Sequence, residues 1–363
     1  MHRPDDADRT LRPIDEARKK FELDLPHVKS ALERSRAGLQ KLAEIHTHGF
    51  GEAPGTSAVV FGSFAREEVT AASDLDWTLL IDGPADSQHF RIARNLGDAY
   101  QQANYRDPAA QGPFRDMTSS HELVHHIGLD DDTNHNLTRR MLLLLESKPV
   151  GDPVLHEGVV RAILDRYLGR ERTIVLEEGK PRVPRFLLND IVRFWRTMAV
   201  DYAAKQWRQN KKWALRNAKL RFSRKLLYAA GLLLCFKCEL NYRPSGVLPA
   251  SIFPDDPDPD TELVEYVFRQ SRSTPLDALA SALLANDVSF STARSCLESY
   301  DQFLAILDDE NKRKYLEELP RTHCASDELF GEVRELSRTF QAGLDHLFLE
   351  SKLAETTLKY GIF

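Results

Sequence analysis

The stretch from residue 58 to residue 82 constrains the fold of this chain more than any other. Its sequence is AVVFGSFAREEVTAASDLDWTLLID, in which two apolar runs flank a polar segment. The pattern predicts a strand over residues 58–61, a tight loop that begins at Gly62-Ser63, and a second strand from about residue 74 to residue 81. The chain is therefore expected to contain a sheet, although helical patterns dominate the rest of its sequence.

Asp74 and Asp76 lie two positions apart at the start of the second predicted strand. Because side chains alternate along a strand, both carboxylates are expected to point to the same face. Two carboxylates so close together repel each other unless a cation lies between them. A divalent ion that prefers oxygen ligands, Mg²⁺ or alternatively Mn²⁺, is the expected cation. The preceding Gly62-Ser63 turn offers backbone donors and a hydroxyl group, which suit phosphate oxygens.

This stretch resembles the DNA polymerase β-like nucleotidyltransferase superfamily, whose pattern is Gly-Ser, a short loop, and Asp-x-Asp on the next strand. Here the pattern stands as Gly62-Ser63, then Arg66, then Asp74 and Asp76. The resemblance implies transfer of NMP or dNMP from a nucleoside triphosphate to a hydroxyl group, with release of pyrophosphate. It also implies two metal ions held by the aspartates and a third carboxylate. The glycine, the serine and the arginine would then hold the triphosphate.

The third carboxylate is expected on a neighbouring strand, within the turn-rich segment 104–120. Asp116 is the first candidate for catalysis and metal binding, because its flanking residues alternate as they do in a strand. A solvated strand residue is an equally good interpretation of Asp116. Asp107 and the run of three aspartates that ends at Asp132 remain alternatives.

His121, Glu122 and His125 form an HExxH motif, which in zinc proteases places two histidine ligands and a base on one helix. The segment before the motif is turn-like, and the motif is soon followed by a glycine and three aspartates. We therefore expect a short surface helix that begins at Ser120, and a zinc metalloprotease remains an alternative from another class.

The patterns on either side of the strands predict an α+β protein with a small mixed β-sheet. Residues 1–56 are predicted to form a helical segment that packs on the core. Residues 57–152 are predicted to form the nucleotidyltransferase domain, with flanking helices and a closing leucine-rich helix over 132–152. Residues 153–363 are predicted to form a large, all-helical C-terminal domain.

Residues 180–225 carry 14 lysines and arginines against two aspartates, in a chain whose net charge is −6. Such a cluster is typical of a surface that binds a polyanion, here a triphosphate or an oligonucleotide. Lys219 and Ser223 lie one helical turn apart within it. The resemblance implies that these two residues hold the β- and γ-phosphates.

A nucleotidyltransferase core followed by a large, locally basic helical domain is similar to the Hailong-type antiphage nucleotidyltransferases. That resemblance implies template-independent synthesis of single-stranded DNA oligomers from nucleoside or deoxynucleoside triphosphates. It further implies an oligonucleotide product on the basic face, a membrane effector protein that acts through the product, and priming by the hydroxyl of Tyr360. Transfer of NMP to a protein or a tRNA, and a catalytically dead nucleotide-binding module, are the alternatives.

The sequence contains no stretch of about 20 apolar residues that could span a membrane, and its first residues lack the apolar core of a signal peptide. The sequence therefore predicts a cytoplasmic protein that does not insert directly into a membrane.

Overall fold

The computed structural model describes residues 11–50, 53–84, 86–106, 117–169, 182–208, 212–241 and 259–361. Within these ranges the chain is mostly helical and contains a four-stranded mixed sheet, as expected for an α+β protein. The first half contains α1 (Pro13–Lys20), α2 (Pro26–Phe50), β1 (Thr56–Phe61), α3 (Gly62–Arg66), β2 (Trp77–Ile81), α4 (Ser87–Gln102), β3 (Met117–Ser119), α5 (Ser120–His125), α6 (Asn134–Leu145) and β4 (Ser147–Pro149).

The described residues after the sheet form only helices. In chain order they are α7 (Pro153–Leu168), α8 (Arg185–Arg208), α9 (Trp213–Lys219), a π-helix π1 (Leu220–Arg224), α10 (Lys225–Leu240), α11 (Pro259–Ser271), α12 (Pro275–Ala285), α13 (Phe290–Asp308), α14 (Glu310–Glu318), α15 (Glu328–Asp345), a π-helix π2 (His346–Glu350) and α16 (Ala354–Gly361).

Several helix starts follow directly from the sequence. At α7 the carboxylate of Asp152 accepts hydrogen bonds from the amides of Val154 and Leu155, and Pro153 occupies the first helical position, where no amide is needed. At α12 the hydroxyl of Thr274 accepts from the amide of Asp277 in the same way. These caps fix the positions at which the chain turns into the helices that surround the sheet.

The sheet has the order β3-β2-β1-β4. β1 pairs antiparallel with both β2 and β4, and β2 pairs parallel with β3. Alternation along β1 sends Ala58 and Val60 to the face covered by α2 and α4, whereas Val59 and Phe61 face the larger core of the helical part. The sheet is therefore buried on both faces, which explains why its two central strands read as continuous apolar runs.

Three local predictions were wrong. The predicted tight loop after β1 begins with the short helix α3, and the second strand begins at Trp77 rather than at Asp74. The backbone pairing nevertheless extends one residue further, because the amide of Phe61 donates to the carbonyl of Asp76 (2.8 Å). The leucine-rich helix ends at Leu145, and the unpredicted strand β4 follows it. A three-residue edge strand is too short to show an alternating pattern.

The N-terminal segment contacts both the sheet region and the C-terminal helices. α1 packs on α12, where the carboxylate of Asp277 accepts from the amide of Ile14 (3.2 Å). Asp301 of α13 caps the start of α2 by accepting from the amides of His27 and Val28 (2.9 Å each). The later part of α2 packs on α3 and α4. These contacts tie the loop after β1 to the distant helical part.

Within the described ranges, every helix is too short or too polar to cross a membrane.

Candidate active site

A polar cleft separates the loop after β1 from the helices of the C-terminal part. It is bounded on one side by α3 and the residues that lead into β2, and on the other by α9, π1, α13 and α14. The residues predicted for metal and triphosphate binding that line this cleft are Gly62, Ser63, Arg66, Asp74, Asp76, Lys219 and Ser223. Residues more than 140 positions apart in sequence therefore meet in one space.

Gly62 brings the backbone directly against the carboxylate of Asp76. Its φ is +63°, a left-handed conformation that favours glycine. A Cβ atom at this position would lie 2.7 Å from Asp76 Oδ2, closer than such atoms approach in proteins. The glycine of the Gly-Ser turn is therefore required both by the backbone conformation and by the neighbouring aspartate.

The two aspartates occupy the same side of an extended segment, as alternation predicts. Asp74 is exposed and Asp76 is partly buried, whereas the intervening Leu75 is 1% exposed and packs in the core. The segment is held from both ends. The amide of Thr70 donates to Ser73 Oγ (2.9 Å), and the amide of Leu75 donates to the carbonyl of Arg106 (2.9 Å). Both carboxylates are thus directed towards the cleft.

The charge of Asp76 is poorly compensated. Burial raises the pKa of Asp76 to about 6, and the carboxylates of Glu146 and Asp74 act in the same direction, against the attraction of Arg224 and Lys219. Because its surroundings disfavour the ionised form of Asp76, a cation bound beside this carboxylate would be stabilising.

Arg66 lines the cleft, but its guanidinium is already paired. Nε lies 2.8 Å from Glu68 Oε2, and Nη1 pairs with Glu146, whose side chain is fully buried. Burial lowers the pKa of Arg66, but the two carboxylates outweigh this effect and raise it above the ordinary value. The described contacts therefore give Arg66 a structural role between two buried acids, in addition to any contact with a phosphate.

Lys219 is the cleft cation with the fewest partners. It lies at the end of α9, and within the described part of the chain it forms no hydrogen bond and no ion pair. Burial lowers the pKa of Lys219 to about 8, and Arg313 and Arg224 contribute, while Asp74 and Asp76 oppose the shift. A positively charged group held in this way is available to an anionic ligand.

Ser223 follows in π1, where the hydrogen-bonding pattern of the helix widens, as it often does at functional sites. Its hydroxyl group is buried and hydrogen-bonds with Tyr300. The Tyr300 hydroxyl in turn donates to Glu68 (2.7 Å), which joins the helical wall of the cleft to the loop after β1.

Two further charged residues of the site, Glu146 and Arg313, were missed in the sequence, and Arg224 was predicted only as part of the basic cluster. Glu146 lies at the end of α6 and pairs with Arg66 and with Arg224 (3.3 Å). Arg313 of α14 donates to Thr70 Oγ1 (3.3 Å) across the cleft. The only signal for Glu146 is that a single acid ends a run of leucines. Arg313 shows no local pattern, since only the tertiary fold brings it to the cleft.

Among the described residues, no predicted third carboxylate lies beside the two aspartates, and the acids that do lie near them, Glu68 and Glu146, are paired with Arg66. Asp116 and Asp107 lie outside the described residues. Asp132 is wrong as a candidate, because it is buried away from the cleft and pairs with both terminal nitrogens of Arg140 (3.0 and 2.7 Å). Arg140 itself is 0% exposed and also contacts Asp190 (3.1 Å), so it holds helices together and does not reach a nucleotide.

The donor set of the cleft suits a magnesium or manganese ion only in part. Among the described residues, no group of three or more histidine, cysteine, aspartate or glutamate side chains is arranged to hold a metal. Asp74 and Asp76 remain, and Mg²⁺ is commonly bound by one or two carboxylates together with waters and substrate phosphates. One ion completed by a triphosphate therefore fits these residues. The second predicted ion depends on a further carboxylate ligand, and the nearby described acids Glu68 and Glu146 are already paired with arginines.

Tyr360 lies in another part of the protein. Its side chain is 7% exposed, its ring is 5.9 Å from the Arg185 guanidinium, and the neighbouring Lys359 pairs with Glu239 of α10 (3.0 Å). Glu239 follows the cleft residue Arg224 by 15 positions along continuous helix, which corresponds to about 22 Å. Tyr360 is therefore not among the residues that the structure brings to the cleft.

The HExxH motif forms the short helix α5, which begins at Ser120 as predicted. Its residues His121, Glu122 and His125 are all exposed, and the two histidine rings lie 4.8 Å apart. As noted above, the described ranges contain no three-residue metal group, so a third zinc ligand is absent from them. The helix has neither the length nor the buried position of a protease centre.

The basic cluster of residues 180–225 does not form one face within the described residues. Lys219 and Arg224 line the cleft. Arg221 and Lys225 instead contact Ser337 and Gln341 of α15. The cluster also includes Lys180 and Lys211, which lie outside the described residues. Its role in holding an oligonucleotide stays a prediction.

No protein-family model matches this chain, and no curated protein matches it.

Proposed function

We propose that this protein is a metal-dependent nucleotidyltransferase that moves NMP or dNMP from a nucleoside triphosphate to a hydroxyl group. The observation that carries this proposal is that groups of opposite charge line the same cleft. Asp74 and Asp76 supply carboxylates without a close counter-ion, and Lys219 supplies a cation without an ion-pair partner in the described chain. A triphosphate with a bound divalent ion carries the charges that complement both.

Each residue of the cleft has a role in this chemistry. Asp74 and Asp76 would hold the ion, which supplies charge neutralisation and lowers the pKa of the attacking hydroxyl. The backbone at Gly62 and the hydroxyl of Ser63 are placed to contact phosphate oxygens. Lys219 would bind the β- and γ-phosphates, where negative charge accumulates as pyrophosphate leaves. The acceptor oxygen forms a bond to the α-phosphorus while the bond to the β-phosphate oxygen breaks.

For the acceptor we propose a nucleotide hydroxyl, so that the product is a single-stranded oligomer, as the resemblance to antiphage enzymes implies. Priming by Tyr360 would require α16 to leave its packed position, because it packs beside Glu239, which lies about 22 Å along the helix from the cleft residue Arg224. Initiation on a free nucleotide requires no such movement.

The proposal is tested by incubating the protein with each α-labelled NTP and dNTP, in the presence of Mg²⁺ or Mn²⁺ and with or without tRNA. Label in a soluble ladder, on tRNA or on the protein identifies the acceptor. Asp76→Ala is expected to abolish labelling. Asp82→Ala is the matched control, because Asp82 follows the other end of β2 and is bonded to Ser120 rather than directed to the cleft. The proposal fails if wild type transfers label from no nucleotide.

A further inference from the structure

A second cavity, of about 300 Å³, shares a wall with the candidate active site. Its walls are the junction between α6 and β4, the N-terminal part of α7, and the connection between α11 and α12. Glu146 lines this cavity and pairs with Arg66 and Arg224 of the cleft, so the two spaces meet at one buried carboxylate. A volume of roughly 300 Å³ lies within the range of small-molecule binding sites.

Arg272 is the main cation of this second cavity. Its Nη2 donates to the carbonyls of Leu143 and Leu144 (3.4 and 3.3 Å), which end α6. Within the described chain no carboxylate lies at ion-pair distance from it. Burial lowers the pKa of Arg272 to about 10, with Glu157 opposing the shift and Arg161 adding to it. A guanidinium withdrawn from water without a counter-ion is costly, and an anion removes that cost.

The other charged groups of the cavity wall are already compensated. Glu157 pairs with Arg161 (3.1 Å), and Lys148 pairs with Glu67. Glu146 pairs with the two arginines of the cleft. The uncompensated charge that faces the cavity is therefore the single positive charge of Arg272.

His156 adds an unused hydrogen-bonding atom to the same wall. Its side chain is 0% exposed, and Nε2 lies 2.9 Å from Ser147 Oγ. Nδ1 has no hydrogen-bond partner in the described part of the protein. Burial, assisted by the charge of Arg272, lowers the pKa of His156 to about 3, so the ring is neutral at ordinary pH. Because Ser147 Oγ donates to the carbonyl of Leu143 (2.6 Å), His156 Nε2 donates to Ser147, and Nδ1 is an acceptor for a ligand hydroxyl such as the P–OH of a protonated phosphate.

We propose that this cavity is an anion site that binds the phosphate group of a small phosphate-bearing molecule, separately from the nucleotide cleft. Arg272 already donates from Nη2 to the carbonyls of Leu143 and Leu144 and from Nε to Ser271 Oγ, so within the described chain Nη1 keeps two N–H groups for phosphate oxygens. His156 and the hydroxyl-rich connection that contains Ser271 and Ser273 surround it. Because Glu146 lines this cavity and pairs with Arg66 and Arg224 of the cleft, occupancy is expected to change how these two arginines are held. The site does not depend on nucleotidyl transfer being the function of the cleft.

Isothermal titration calorimetry tests this site with inorganic phosphate and with a nucleoside 5′-monophosphate. The titrations use the full chain carrying Lys219→Met, which weakens phosphate binding in the cleft. Arg272→Gln in this background is expected to bind phosphate at least tenfold more weakly. Arg269→Gln is the matched control, since Arg269 is exposed one helical turn earlier on α11, and it is expected to bind normally.

A second variant covers the case in which Arg272→Gln does not fold. Ser273→Asp places a carboxylate in the cavity beside Arg272 and leaves the arginine in place; it is also expected to weaken phosphate binding at least tenfold. Tighter binding of the monophosphate than of inorganic phosphate would assign the site to an ester, and the reverse order to free phosphate. Undiminished binding by both variants, or no saturable binding of either ligand by the parent protein, would overturn the proposal.

Discussion

Replacing Gly62 by alanine places a methyl group against the carboxylate of Asp76. The left-handed φ of +63° costs an L-residue about 1–2 kcal/mol. The added carbon would lie 2.7 Å from Asp76 Oδ2, whereas a carbon–oxygen contact ordinarily needs roughly 3.3 Å. Asp76 must therefore retreat by about 0.6 Å. A misplacement of 1 Å in a catalytic centre can cost roughly 100-fold in rate, so we expect kcat/KM for nucleotidyl transfer to fall at least tenfold.

Gly55→Ala separates this effect from backbone strain. Gly55 lies immediately before β1, at the end opposite to Gly62, and its φ is also positive (+72°). A Cβ atom at this position would lie 3.1 Å from the backbone oxygen of Asp82. Urea unfolding is expected to show a loss of about 1–2 kcal/mol for each variant. Rates of α-phosphate transfer are expected to fall only for Gly62→Ala. Wild-type rates for Gly62→Ala, or equal losses in both variants, would refute the link between Gly62 and the Asp76 carboxylate.

Three further predictions concern other parts of the protein. Arg140→Ala removes the buried cation shared by Asp132 and Asp190 and leaves Asp132 only its longer contact with Arg193 (3.8 Å), so urea unfolding should show a loss of about 3 kcal/mol; a loss below about 1 kcal/mol would contradict the buried network. Because the pKa of Lys219 is lowered to about 8, its positive charge is lost as the pH rises through 8. Nucleotide affinity measured by calorimetry should therefore weaken between about pH 7 and 9 in wild type but not in Lys219→Met, and parallel profiles would exclude this role. Because Tyr360 is packed away from the cleft, Tyr360→Phe should leave the oligomer yield on gels unchanged, and loss of oligomers with nucleotide binding kept would instead support priming by Tyr360.

The parts of the site that are close together in sequence could be predicted. The Gly-Ser turn and the Asp-x-Asp pattern lie within 15 residues of each other, so strand alternation alone placed Asp74 and Asp76 on one side with Leu75 in the core. The assignment of Lys219 came from a resemblance, and the structure places this lysine in the same cleft.

The remaining features depend on contacts that no local pattern records. β4 exists because its three residues pair with the edge of β1, and not because of an intrinsic strand preference. Arg140 follows the polar start of α6, a position typical of a solvated arginine, yet Asp132 and Asp190 from two other segments enclose it. Arg313 reaches the cleft from a helix that begins 229 residues after the end of β2. A charged side chain that becomes buried needs an ion-pair partner, but the sequence does not identify which residue that partner is.

The central claim is that Asp76 takes part in transfer of a nucleotidyl group in this cleft. It is tested most directly by measuring pyrophosphate release from nucleoside and deoxynucleoside triphosphates in wild type and in Asp76→Ala, with Mg²⁺ and with Mn²⁺. We expect wild type to release pyrophosphate in step with α-phosphate transfer, and Asp76→Ala to remain folded and release none. Equal release by the two proteins, or no release by wild type with any nucleotide, would contradict the assignment of the cleft.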